Sequence, residues 1–189
     1  MAPRPKLILL KLLLAISLFT SLNLLAQGTA NAQNDAAAKP KSLMDKMTGH
    51  WVMTGTIAGE QVTHDVNVDW ILGRRYIRIH EASREKTKTG ELEYEAWIHI
   101  AWDEENAEFV LMWLDNTGTT NFAAEGVGHG KPNGEAIPFI WKFADGSGIH
   151  NTFSYDREND SWSWSIDNVD EAQGHSKFAR LVLKRRDNQ

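Results

Sequence analysis

The sequence predicts an all-β fold of about ten antiparallel strands, a single up-and-down barrel or a sandwich. Three observations carry that prediction. From Gly49 onward the apolar residues recur with a period of two rather than 3.6. About ten such runs follow one another, each short and bounded by turn-forming residues. Nearly every link is of hairpin length, which favours a meander over a Greek key.

The runs, in order, are His50–Ile57, Gln61–Leu72, Arg75–Arg84, Leu92–Asp103, Glu108–Asp115, Asn121–Val127, Ala136–Phe143, Ile149–Asp156, Ser161–Asp167 and His175–Lys184. Ala58-Gly59, Gly73-Arg74, Lys88-Thr89-Gly90, Asn116-Thr117-Gly118 and Asp145-Gly146 supply turn chemistry between them. Pro138 is the one proline inside a run, so its strand is expected at an edge or to start late. The glycine-rich "GVGHG", Gly126 to Gly130, has no helix after it and reads as a bend, not a phosphate cradle.

The inner face follows from one turn. A two-residue Ala58-Gly59 loop pairs Ile57 with Glu60, Gly55 with Val62, Met53 with His64 and Trp51 with Val66. Cross-strand partners share a face. Trp51, Met53, Gly55, Val62, His64, Val66, Val68 and Trp70 therefore point inward. In the fourth run Tyr94, Ala96, Ile98 and Ile100 oppose Glu93, Glu95, Trp97 and His99. Phe109, Leu111, Trp113 and Asp115 share a face, as do Phe139 and Trp141, Asn151 and Phe153, and Trp162, Trp164 and Ile166. The third run stays open. Ile77, Ile79 and Glu81 alternate against Tyr76, Arg78 and His80, and one bulge swaps the two sets.

Residues 1–32 read as a cleaved signal peptide. Arg4, Lys6 and Lys11 precede an apolar run from Leu12 to about Ala26, and Ala30-Asn31-Ala32 has the small-x-small form of a cleavage site. Ser17, Thr20, Ser21 and Asn23 interrupt that run, which is shorter than the ~20 residues of a bilayer span. The expected product is periplasmic or secreted, with no membrane span after cleavage. Residues 33–48 form a flexible lead-in with a helical turn over Leu43–Met47 capped by Ser42, and the barrel occupies 49–186. The formal net charge of −5 argues against nucleic acid as a partner. The chain has no cysteine, so a core rich in its eight tryptophans must hold the fold. Oligomeric state stays open.

Gly49-His50-Trp51, at the head of the first strand, is the G-x-W signature of lipocalins and related calycins. With "LMDKMTGHWVMTG", "DWILGRRYIR", "YEAWIHIAWDEENAEFVLMWLDNTG" and the closing "FARLVLKR", the chain resembles a bacterial family of exported, lipocalin-like domains of unknown function, family 1579. The resemblance implies a calycin-type barrel with a central cavity and no settled activity. Haem-binding nitrobindin-like calycins place an iron-ligating histidine near the start of their last strand, where this chain has His175. Their denser glycine pattern after the tryptophan is absent here, where Val52-Met53-Thr54 stands instead.

A barrel of this size holds one small ligand, in a pocket that is mostly apolar with a few placed polar groups. The expected wall is Trp51, Met53, Val66, Trp70, Ile98, Trp113 and Trp141, with His64, Tyr94 and Asn151 as polar exceptions. The leading function is binding of a small apolar or aromatic molecule, with no cofactor. The alternative is a cofactor-independent isomerase, cyclase or lyase, with His64 as acid or base and Tyr94 or Asp115 as its partner. Haem binding and an interaction module with a filled core are the further alternatives. The first reading of His64 itself is structural, bonded to a neighbouring carbonyl or tyrosine, ahead of a ligand contact and then a catalytic base. Asp115 precedes Asn116-Thr117-Gly118 and suits turn capping. The other histidines show neither H-x-H nor H-E-x-x-H spacing, so no metal site is expected.

Overall fold

Ala58 and Gly59 both have positive φ, 50° and 89°, the twist of a two-residue primed hairpin turn. The register that grows from it pairs Ile57 with Glu60, Gly55 with Val62, Met53 with His64 and Trp51 with Val66, as the alternation requires. The computed structural model describes residues 40–118, 126–170 and 174–186. It contains β1 (Gly49–Ile57), β2 (Glu60–Ile71), β3 (Tyr76–Ser83), β4 (Glu95–Asp103), β5 (Glu108–Asp115), β6 (Val127–Gly130), β7 (Ala136–Lys142), β8 (Gly148–Asp156), β9 (Ser161–Asp170) and β10 (Gly174–Arg185). Each strand lies antiparallel to its sequence neighbours, and β1 pairs with β10 to close the ring. The fold is therefore the expected all-β, up-and-down barrel, consistent with a calycin-like architecture.

Three local expectations change. β4 starts at Glu95, not Leu92, because side-chain oxygens take over from the ladder there. Ser83 Oγ accepts the Tyr94 N–H at 3.0 Å, and Asn116 Oδ1 accepts the Glu95 N–H at 3.1 Å. The sixth strand is Val127–Gly130, so "GVGHG" supplies a strand rather than a bend; the rest of the expected Asn121–Val127 run falls mostly outside the described residues. Its glycines mark close approach: a Cβ on Gly128 would sit 2.5 Å from the Trp141 ring. Pro138 sits within β7 beside this short strand, and a single pair, His129 with Ile140, joins β6 to β7. Its missing N–H leaves little ladder to break.

The third change is at the start. Residues 40–47 form a helix, α1, so Ser42 lies inside it and not at a cap. α1 buries Leu43, Met44 and Met47 against one end of the barrel. Trp51 Nε1–H donates to the Met47 carbonyl at 2.8 Å, and Trp70 Nε1–H donates to Asp45 Oδ1 at 2.7 Å. The Arg185 guanidinium lies 3.8 Å from the Trp51 ring centroid and donates to the Lys46 carbonyl at 3.1 Å. Trp51, Met53, Val66, Val68, Ile77, Ile98 and Phe109 fill the barrel behind this plug. No helix among the described residues is long and apolar enough to cross a membrane.

Candidate functional site

β3 settles the open question of facing. It pairs with β2 so that Val66 meets Glu81 and His64 meets Ser83. Residues opposite one another share a face, so Ile77, Ile79, Glu81 and Ser83 point inward and are buried, while Arg78 and His80 lie on the outer face. Glu81 is thereby set diagonally beside His64. The two are 1% and 3% exposed, and Nδ1 and Oε1 stand 2.6 Å apart with one proton between them. Tyr94 stacks on the imidazole, with ring centroids 5.6 Å apart and planes 19° apart. The partner of His64 is thus Glu81, not Tyr94 or Asp115.

This cluster sits in the half of the barrel away from α1, in a cavity of about 1250 Å³ that opens to solvent. That is slightly above the roughly 300–1,000 Å³ of typical ligand sites. His64, Tyr94, Trp113, Asp115, Trp141 and Asn151 all line it. Trp51, Met53, Val66 and Ile98 do not; they are fully buried in the plugged half. Trp70 is also elsewhere, half-buried with its N–H on Asp45. Strand alternation distinguishes inside from outside but carries no information on depth along the barrel axis. Glu81, Trp164, Ile166 and Leu181 complete the wall without having been expected there. The inward stripe Trp162, Trp164, Ile166 was the available signal for two of them.

The polar groups divide into satisfied and unsatisfied. Asp115 Oδ1 accepts the backbone N–H groups of Thr117 and Gly118 at 2.8 and 2.9 Å, which is the turn-capping role its position suggests. Asn151 Oδ1 accepts the Trp164 indole N–H at 2.5 Å. An indole nitrogen can only donate, so the amide oxygen must face Trp164, which leaves Nδ2 without a partner. Glu81 Oε2 and Trp113 Nε1 are also buried without partners. Of the unpartnered buried side-chain atoms among the described residues, only His99 Nδ1 belongs to a residue that does not line the cavity.

Electrostatics follow from this burial. Burial pushes the Glu81 carboxyl above its ordinary range; the bond to His64 opposes that and the nearby Asp115 charge adds to it. Burial likewise raises the Tyr94 phenol, with the Glu81 and Asp115 charges acting in the same direction, so it stays neutral. The Trp113 N–H lies near enough to that phenol to oppose the rise but not in hydrogen-bond geometry.

His175 is exposed on β10, with its ring 4.9 Å from that of His150, and does not line the cavity. The residues present therefore do not fit a haem held from His175 inside the barrel. Among the described residues no three His, Asp or Glu side chains are grouped to hold a metal ion. No protein-family model matches the chain, and comparison with curated proteins finds no match.

Proposed function

We propose that this chain is an exported, lipocalin-like barrel, related to family 1579, that binds one small, largely apolar or aromatic molecule in the open half of the barrel. One observation carries the reading: Glu81, Trp113 and Asn151 line a single cavity, and each holds a buried side-chain atom without a partner, Oε2, Nε1 and Nδ2 in turn. Each unsatisfied buried polar atom costs about 1–3 kcal/mol. A core built only for stability has no reason to gather three of them on one surface. Tyr94 and Trp113, both half-buried, supply aromatic surface beside them, backed by the buried rings of Trp141 and Trp164.

Titration with the neutral dye Nile red tests this. Saturable 1:1 binding with a blue-shifted emission and quenched tryptophan fluorescence is expected. Val62→Trp, which adds an indole at the half-buried mouth, should abolish it. A weak, non-saturating response, unchanged in Val62→Trp, would leave the cavity without a binding role.

The His64–Glu81 pair favours a second reading. A carboxylate that fixes one imidazole nitrogen leaves Nε2 as the atom able to take or give a proton. Cofactor-independent isomerisation, cyclisation or elimination would follow if a bound molecule presents an acidic C–H there. Turnover by the purified protein that survives His64→Gln would sink that version.

A further inference from the structure

The charge of the cavity is one-sided. Glu60, Glu85 and Glu93 are exposed at its mouth, Asp115 is half-buried within it, and Glu81 is buried beside His64. No lysine or arginine lines it among the described residues. Nor is any of these carboxylates ion-paired with a lysine or arginine in the described structure. An acidic rim alone is an ordinary solvated surface. Glu81 is different in kind, because it is 1% exposed and its Oε2 has no partner.

From this we infer that the ligand is an organic cation, an ammonium or amidinium group on an aromatic or apolar body. The inference rests on the cavity being a binding site, and it adds the sign of the charge. The cationic N–H donates to Glu81 Oε2, while His64 holds Oε1. The faces of Tyr94, Trp113 and Trp164 favour a cation further. A ligand acceptor, such as a hydroxyl or ether oxygen, would take the free N–H groups of Trp113 and Asn151. The mouth carboxylates raise the local concentration of cations and repel anions. A carboxylate-bearing ligand meets the reverse: five acidic side chains and, among the described residues, no lysine or arginine. A metal ion is the wrong size of answer, since no metal-holding group of side chains forms among the described residues.

Three naphthalenes of similar shape separate the charges: 1-naphthylmethylamine, 1-naphthalenemethanol and 1-naphthoate, titrated calorimetrically at pH 7 into the purified protein. The amine should bind at least roughly tenfold more tightly than the alcohol, a gap of about 1.4 kcal/mol, and the naphthoate most weakly. Glu81→Gln should lower amine affinity more than alcohol affinity. If that variant does not fold, Glu60→Gln/Glu93→Gln, altered only at exposed positions, should narrow the amine advantage and weaken its salt dependence. An alcohol or naphthoate that binds as tightly as the amine would overturn the cation preference and leave the binding reading intact. Failure of all three to bind would overturn both.

Discussion

Replacing His64 by leucine turns the buried pair into a measurable electrostatic cost. Glu81 would keep its carboxyl in the wall, with no base beside it. An unpaired buried carboxylate takes up a proton rather than remain charged. In the unfolded chain the same group ionises near its ordinary value of 4.5. The native state then holds one more proton, so stability falls as pH rises above that value, by about 1.36 kcal/mol per pH unit. For a carboxyl that stays protonated in the fold over this range, the cost is about 0.8 kcal/mol at pH 5 and about 3.4 kcal/mol at pH 7. His64→Leu/Glu81→Gln shares every other change and lacks only the ionisable group. Urea unfolding of both variants, followed by tryptophan fluorescence, isolates the carboxylate. The double variant should be the more stable at pH 7, and its advantage should shrink by about 2.6 kcal/mol at pH 5. An advantage that does not change with pH would refute the reasoning. It would mean that Glu81 ionises in place, solvated through the cavity mouth.

Two further substitutions probe the frame around the site. Gly128→Ala drives a methyl to 2.5 Å from the Trp141 ring; overpacking of this kind costs about 1–3 kcal/mol in urea unfolding and should also weaken Nile red binding, since Trp141 lines the cavity. Arg185→Met removes the donor to the Lys46 carbonyl, the bond to Asp160 and the cation over Trp51. It should destabilise by about 1–3 kcal/mol while leaving Nile red affinity unchanged, because the plug and the cavity occupy opposite halves.

Strand order and facing were legible because local chemistry specifies both. The Ala58-Gly59 turn aligns β1 with β2, and two apolar stripes then have to agree. Glu81 was illegible for a physical reason. The outer face of β3 is also partly covered: His80 stacks on Trp97 at 4.0 Å, and Arg78 lies 5.1 Å from the same ring. Both faces of the strand therefore look half-buried, and only pairing with β2 distinguishes them. Depth was illegible too. Met53 and His64 are cross-strand partners, yet the first packs in the core and the second opens on the cavity. Nothing in a period of two marks where a plug stops. The "GVGHG" strand was missed because its reason is a tryptophan ring from another strand.

Closure of the barrel carries a consequence for how the chain is made. From β1 through β10, each strand after the first pairs with the one before it, across two to five residues in seven of the nine links and eleven in the other two, all of small entropic cost. The exception is the contact between β1 and β10, where Trp51 meets Arg185 and Met53 meets Leu183. A ribosome delivers β1 first and β10 last. Through most of synthesis the growing sheet therefore has two unpaired edges, and an exposed edge is a template for aggregation. Trp51 and Met53 lie on the older of those edges. The earliest strand of this barrel is the one that waits longest for its second neighbour.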